Sequence, residues 1–161
     1  MKRSVLSVIA RTSLFFAVLV FASQTASADE MRIFKKTGLA YEDVKLDLES
    51  AIEHKGLKLG ATGDLADMLG RTQDAIGGAS VYKSAHYLQF CSAVLGHRLA
   101  AADPANIGHC PFLMFVYETI AKPGEIVVGY RSITRSGSAA TRAVLDEADA
   151  MLESIAREAV N

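Results

Sequence analysis

Two cysteines and two histidines lie close together in the sequence and have the clearest capacity for chemistry. They are Cys91, His97, His109 and Cys110. Sulfur and imidazole are ligands for haem iron and for soft divalent metals. These four residues therefore form a candidate site for haem or a soft divalent metal, although their spacing lacks the close ligand pairs typical of a zinc site.

The first 28 residues have the pattern of an export signal. Basic residues precede a short apolar run, and small residues stand at the −3 and −1 positions of a cleavage point. These residues are Lys2, Arg3 and Arg11, the run 13–21, and Ala26 and Ala28. A membrane span needs about 20 apolar residues, and this run is roughly half as long. We predict a cleaved signal peptide over residues 1–28 and a periplasmic mature protein, residues 29–161, with no stable membrane anchor.

In an exported protein, the pair Cys91 and Cys110 has three interpretations. A disulfide is the first, because the compartment is oxidising. A redox-active pair is the second, since Cys91 stands near the start of a predicted helix, where a thiol pKa is lowered. Two buried free thiols, packed as small apolar groups, are the third. The absence of a Cys-x-x-Cys motif removes the specific signal of a thiol-disulfide enzyme.

The charge of the mature chain argues against nucleic acid as a partner. The sequence has 17 basic and 18 acidic side chains, and the signal peptide removes three of the basic ones, which leaves a formal charge of −4. Nucleic acid binding needs clustered lysines and arginines to neutralise phosphates. The same balance disfavours anionic lipid headgroups.

Alternating strand and helix periodicities predict one α+β domain over residues 29–161. The predicted strands are residues 31–36, 57–59, 82–90, 112–117 and 126–130, with a turn at 60–63 and a hairpin across 121–124. The predicted helices are residues 42–55, a short helix around Leu65, Met68 and Leu69, residues 93–102 capped by Ser92, and 139–159 capped by Ser138. We expect a mostly antiparallel sheet with helices packed on one face, a core of about residues 31–135, and a C-terminal helix at about 139–159.

The segments QFCSAVLGHRLAAADPANIG and HCPFLMFVYE resemble the core of the domain-of-unknown-function 302 family. The resemblance covers roughly Met31 to Arg131 and implies a compact α+β fold, an antiparallel sheet and a homodimer, without a settled reaction. The chain departs from the family pattern in two places. Ser92-Ala93 stands where many members have Asn-Pro, and Cys110 precedes Pro111 instead of following it.

His97 lies opposite the apolar stripe of its predicted helix, on a face of small residues. It is either simply exposed or part of a ligand face. Taken together, the patterns predict a small exported binding or accessory protein, acting as a homodimer. The alternatives are a haem- or metal-binding redox protein that uses Cys91, Cys110 and a histidine, and a thiol-disulfide enzyme.

Overall fold

A computed structural model describes residues 30–161 of the protein. The strands are β1 (Met31–Thr37), β2 (Leu59–Asp64), β3 (Tyr82–Phe90), β4 (Phe112–Thr119) and β5 (Glu125–Arg131). The helices are α1 (Tyr41–His54), α2 (Leu65–Ile76), α3 (Ala93–Ala102) and α4 (Ala139–Ala159), with a 3-10 helix at Pro104–His109 between α3 and β4. The predicted signal peptide lies outside the described residues.

The five strands form one antiparallel sheet in the order β1-β5-β4-β3-β2. Strands β4 and β5 form the predicted hairpin, in which Val116 pairs with Val128. Strand β4 is central, and β1 and β2 are the edges. The predicted α+β class, with a single domain and an antiparallel sheet, is confirmed.

The hydrophobic core lies between one face of the sheet and helices α1, α3 and α4. Alternate residues of each strand point into it, such as Met114 and Val116 of β4 and Val128 of β5, all fully buried. Leu48 of α1 and Leu152 of α4 meet them. Each such side chain favours folding by about 1.5–3 kcal/mol on burial.

Serine caps begin the two helices whose starts were predicted most closely. The Ser92 hydroxyl accepts a hydrogen bond from the Leu95 amide at 3.3 Å, and the Ser138 hydroxyl accepts one from the Thr141 amide at 3.1 Å. Each cap satisfies an amide that has no partner within its helix. Helices α3 and α4 match their predicted bounds.

The prediction of a turn at residues 60–63 was wrong, because these residues belong to strand β2. Two glycines allow β3 to come close to β2 here. A Cβ at Gly60 would stand 3.3 Å from the carbonyl oxygen of Gln89, and a Cβ at Gly63 would overlap the ring of Tyr87. The glycines therefore mark a close strand contact rather than a turn. Helix α2 continues to Ile76, beyond the short helix predicted around Leu65, Met68 and Leu69.

Candidate functional site

Cys91 and Cys110 form a disulfide, with their Cα atoms 5.7 Å apart. Strand pairing explains the pairing of the cysteines. Phe90 of β3 lies opposite Phe112 of β4, Cys91 follows Phe90, and Cys110 stands two residues before Phe112. The chain leaves β3 through α3 and returns through the 3-10 helix to the same end of the sheet. The predicted disulfide pair is therefore brought together by the sheet register.

A shallow depression of about 310 Å³ surrounds the disulfide. Cys91, Cys110 and His97 line it together with Ile107, whose side chain is 75% exposed. Its remaining walls are mainly small side chains of α3. Cys91 and His97 are exposed. The depression is apolar, with one imidazole at its edge.

Asn106 holds the 3-10 helix against the rest of the molecule independently of the disulfide. Its buried side-chain amide donates to the Leu99 carbonyl at 3.0 Å and to the Thr141 hydroxyl at 3.1 Å. These contacts tie the 3-10 helix to both α3 and α4. The wall of the depression that carries Ile107 is thus fixed by two separate attachments.

His109 lies in a different cavity from the other three predicted site residues. It lines a space of about 540 Å³ with Arg131, Leu113 and Phe115. Cys91, His97 and Cys110 share the first depression. A metal ion or haem iron binds the thiolate form of cysteine. Both sulfurs are joined in the disulfide, so neither cysteine is available as a thiolate in this form of the protein. Within residues 30–161, no three side chains of histidine, cysteine, aspartate or glutamate are grouped to hold a metal ion.

Two buried polar groups lie on the helix side of the sheet. The Tyr41 hydroxyl lies 3.0 Å from Nδ1 of His86 and donates to the Val116 carbonyl at 3.3 Å. Burial, with nearby carboxylates, raises the pKa of Tyr41 well above its ordinary value. The Glu118 carboxylate accepts from the Gly124 amide at 2.8 Å and from Lys83 at 3.0 Å, and these bonds lower its pKa. Both groups already have partners inside the chain.

The opposite face of the sheet carries a row of side chains in register across all five strands. The row is Gly63, Tyr87, Phe115, Gly129 and Ile33. The two aromatic residues are neighbours in the middle of the row, and each overlaps the space of a Cβ at the glycine beside it. The glycines let the rings lie flat on the sheet, so the row forms a low aromatic ridge.

We call the side of the sheet that carries this row the open face. Besides the row, its apolar and aromatic side chains are Met31, Tyr82, Ala85, Leu113, Tyr117 and Val127, and its polar side chains are Lys35, Thr37, Gln89, Thr119, Glu125 and Arg131. Ala85 and Val127 are buried but belong to no part of the core beneath the helices. Ile33 is 49% exposed and Leu113 is 42% exposed. The centre of the open face is therefore mainly apolar and partly accessible to solvent, and polar side chains lie around it.

Two concave regions lie at opposite ends of the open face. One is the cavity that contains His109, where Met31, Leu113 and Phe115 supply the apolar wall. The other is a groove of about 500 Å³ lined by Ile33, Tyr117 and Val127, which extends to Val81 and Ile120. The aromatic ridge separates these regions, so the open face has a convex centre between two concave ends.

Sequence reasoning missed the open face, although β4 carried its signal. An antiparallel strand with one face in water alternates apolar and polar residues. The run FLMFVY at residues 112–117 does not alternate, because Leu113, Phe115 and Tyr117 face away from the core and are also apolar. Such a run is typical of a strand that is covered on both faces.

The model of the family described as "Domain of unknown function DUF302" matches residues 33–159 of the chain. The chain belongs to the DUF302 family. The match includes both cysteines, the open face except Met31, and all of α4. It confirms the family that the cysteine-helix and strand motifs indicated.

A solved structure shows the same fold. It is titled "Crystal structure of uncharacterized conserved protein DUF302 from Bacillus stearothermophilus", and it aligns with a TM-score of 0.66 at 12% sequence identity. The alignment covers 80% of this chain and 97% of that one. Among curated proteins, none matches the chain. Within residues 30–161, no helix is both long and apolar enough to cross a membrane.

Proposed function

We propose that this DUF302 protein is an exported binding or accessory protein of the periplasm that works as a homodimer through its open face. The observation that carries the proposal is the one-sided packing of the sheet. Helices cover one face, while the other presents Ile33, Leu113, Phe115 and Tyr117 to solvent. Contiguous apolar patches of this kind mark interaction sites on soluble proteins.

The size of the open face suits a protein partner. Five strands about 4.8 Å apart and about seven residues long present a face of about 550 Å². A stable protein interface buries about 800 Å² on each partner. The sheet face therefore supplies most of an ordinary interface, and its centre carries the aromatic residues that are enriched at such centres.

A second copy of the chain is the partner that the face fits best. Two identical copies related by a two-fold axis present the same patch to each other. The groove end of the open face has charges of both signs, since Lys35 pairs with Glu125 at 3.1 Å and Lys122 lies 3.8 Å from the same carboxylate. A rim with both signs can exchange these pairs with its own copy without like-charge repulsion.

Sedimentation of residues 29–161 over a range of concentrations tests the homodimer. We expect wild type to dimerise, and Ile33→Glu and Leu113→Glu to be monomeric at the same concentrations. Leu46→Glu is the matched control, since Leu46 is an exposed leucine on α1, away from the open face. A wild-type protein that stays monomeric, or face variants that dimerise as well as the control, would refute the dimer.

Export is tested separately by the mass of the protein recovered from the periplasm. Cleavage after Ala28 gives a mature chain that begins at Asp29. An uncleaved chain in the membrane fraction contradicts this part of the proposal. The two tests are independent, because the dimer is measured on purified mature protein.

A second candidate function is thiol-disulfide exchange, which the exposure of Cys91 favours. A substrate thiolate would attack one sulfur, form a mixed disulfide and release the other cysteine as a thiolate. A second substrate thiolate would then attack the substrate sulfur of the mixed disulfide and displace the cysteine thiolate, so that substrate disulfide leaves and both cysteines are reduced. Equilibration in glutathione buffers of known potential tests this. A disulfide that resists reduction until the protein unfolds has a structural role and contradicts exchange.

The haem- or metal-binding alternative has a separate test. Saturable binding of haem or zinc by the reduced protein would favour it.

A further inference from the structure

Helix α2 presents an apolar stripe that its own chain leaves uncovered. None of its residues is buried, in contrast to α1, α3 and α4. Leu65, Met68, Leu69 and Ile76 fall on one side of the helix at the spacing of an amphipathic stripe. Met68, Leu69 and Ile76 are 44%, 45% and 77% exposed. The main neighbour of α2 in the chain is β3.

Both ends of α2 are fixed, so the stripe is held in a definite place. The Asp64 carboxylate accepts from the Asp67 amide at 2.9 Å and caps the first turn. At the other end, the Gln73 side chain donates to the Gly78 carbonyl at 2.9 Å and accepts from the Ser80 hydroxyl at 2.5 Å. A helix of 12 residues is marginal in water without packing on its apolar side. These attachments therefore hold α2 in place, although its apolar side has no packing partner within the described chain.

The surface beside α2 runs without interruption into the open face. A groove of about 170 Å³ between α2 and the chain that follows it is lined by Leu69, Ile76, Ser80 and Val81. Ser80 and Val81 also line the larger groove at the edge of the open face. The exposed side chain of Val81 thus lies in both grooves, and the two apolar surfaces form one.

The area of the open face shows why a second copy would use this extension. The sheet alone offers about 550 Å² against the roughly 800 Å² per partner of a stable interface. The stripe of α2, about 18 Å long and about 10 Å wide, adds about 200 Å². Sheet and helix together offer about 750 Å², close to the ordinary size, whereas the sheet alone falls short.

We propose that α2 is an arm that packs across the dimer, with its stripe of Met68, Leu69 and Ile76 covered by the open face of the second copy. The proposal rests on the homodimer of the previous subsection and names the element that completes it. In a two-fold arrangement each chain gives one arm and receives one, so the same contact forms twice. The coverage also supplies the packing that α2 lacks within one chain.

The experiment compares the dimer dissociation constants of Leu69→Lys, Ile76→Lys and Asp74→Asn by sedimentation equilibrium. Asp74 is the matched control, since it lies on the opposite side of α2 and its replacement also changes the charge by +1. We expect each stripe variant to weaken the dimer at least about tenfold, as for a central apolar interface contact, and the control to leave it unchanged.

Hydrogen exchange of wild-type α2 amides provides a second measurement that needs no variant. We expect the amides of residues 68–76 to exchange more slowly at concentrations where the protein is dimeric. A dimer that Ile33→Glu disrupts but that neither stripe variant weakens, with α2 exchange independent of concentration, overturns the arm and leaves the open-face dimer standing. A wild-type monomer at all concentrations overturns both.

Discussion

The ring of Phe115 lies over the backbone of Gly129 on the adjacent strand, with which it pairs in register. A Cβ at Gly129 would stand 2.6 Å from the ring carbon Cζ and 2.5 Å from the carbonyl oxygen of Arg32 on the other side. The glycine is therefore required by two neighbours at once, one a side chain and one backbone. This contact holds the aromatic ridge of the open face flat.

Gly129→Ala is expected to destabilise the protein by about 1–3 kcal/mol, because the new methyl group must displace Phe115 or the backbone of β1. Urea denaturation measures the loss. Gly96→Ala is the control, since a Cβ at this helical position meets nothing within 4 Å. Alanine there should stabilise α3 by up to about 1 kcal/mol. Equal effects of the two substitutions would show that Gly129 is not constrained by its neighbours.

Removal of the disulfide is expected to lower stability without abolishing the fold. The bond joins residues 19 apart, and closing a loop of this length restricts the unfolded chain by about 3 kcal/mol. We expect the double variant Cys91→Ala/Cys110→Ala to lose about that much in urea denaturation at neutral pH. The fold should persist, because the core between the sheet and α4 does not involve either cysteine. An unchanged midpoint would mean that the loop is already restricted in the unfolded state.

Features that depend on residues close in sequence could be predicted well. Features that depend on strand register could not. Ser92 and Ser138 identify the starts of α3 and α4, because capping is local. The pairing of Tyr87 with Gly63 joins residues far apart in sequence, so the glycines at 60–63 looked like a turn. His109 was grouped with Cys110 by adjacency alone, although the structure puts it in a different cavity.

Asn106 and Thr141 are expected to stabilise the protein as a coupled pair. Asn106→Ala removes the bonds to the Leu99 carbonyl and the Thr141 hydroxyl and should cost about 1–3 kcal/mol. Thr141→Val removes the second of these bonds and the contact between the Thr141 and Ser138 hydroxyls. In a double-mutant cycle the two losses should fail to add, with a coupling of about 1 kcal/mol. Strict additivity would show that the amide-hydroxyl contact contributes nothing to the attachment of the 3-10 helix.

Glu118 is expected to make stability sensitive to acid. Its pKa is lowered first by the hydrogen bond from the Gly124 amide and then by that from Lys83. A carboxylate with a lowered folded pKa stabilises the folded state above its unfolded pKa, and this stabilisation is lost as the pH falls. Wild-type stability should therefore decline below the ordinary glutamate value of 4.5.

Glu118→Gln isolates this contribution. Glutamine keeps an oxygen for the Gly124 amide but has no charge for Lys83, so the variant should be less stable at pH 7 and lose less on acidification. Urea denaturation at several pH values between 7 and 3 measures both effects. Glu53→Gln, at an exposed position of α1, is the control and should follow the wild-type profile. If Glu118→Gln and wild type lose the same stability between pH 7 and 3, the carboxylate does not anchor the β4–β5 hairpin through its charge.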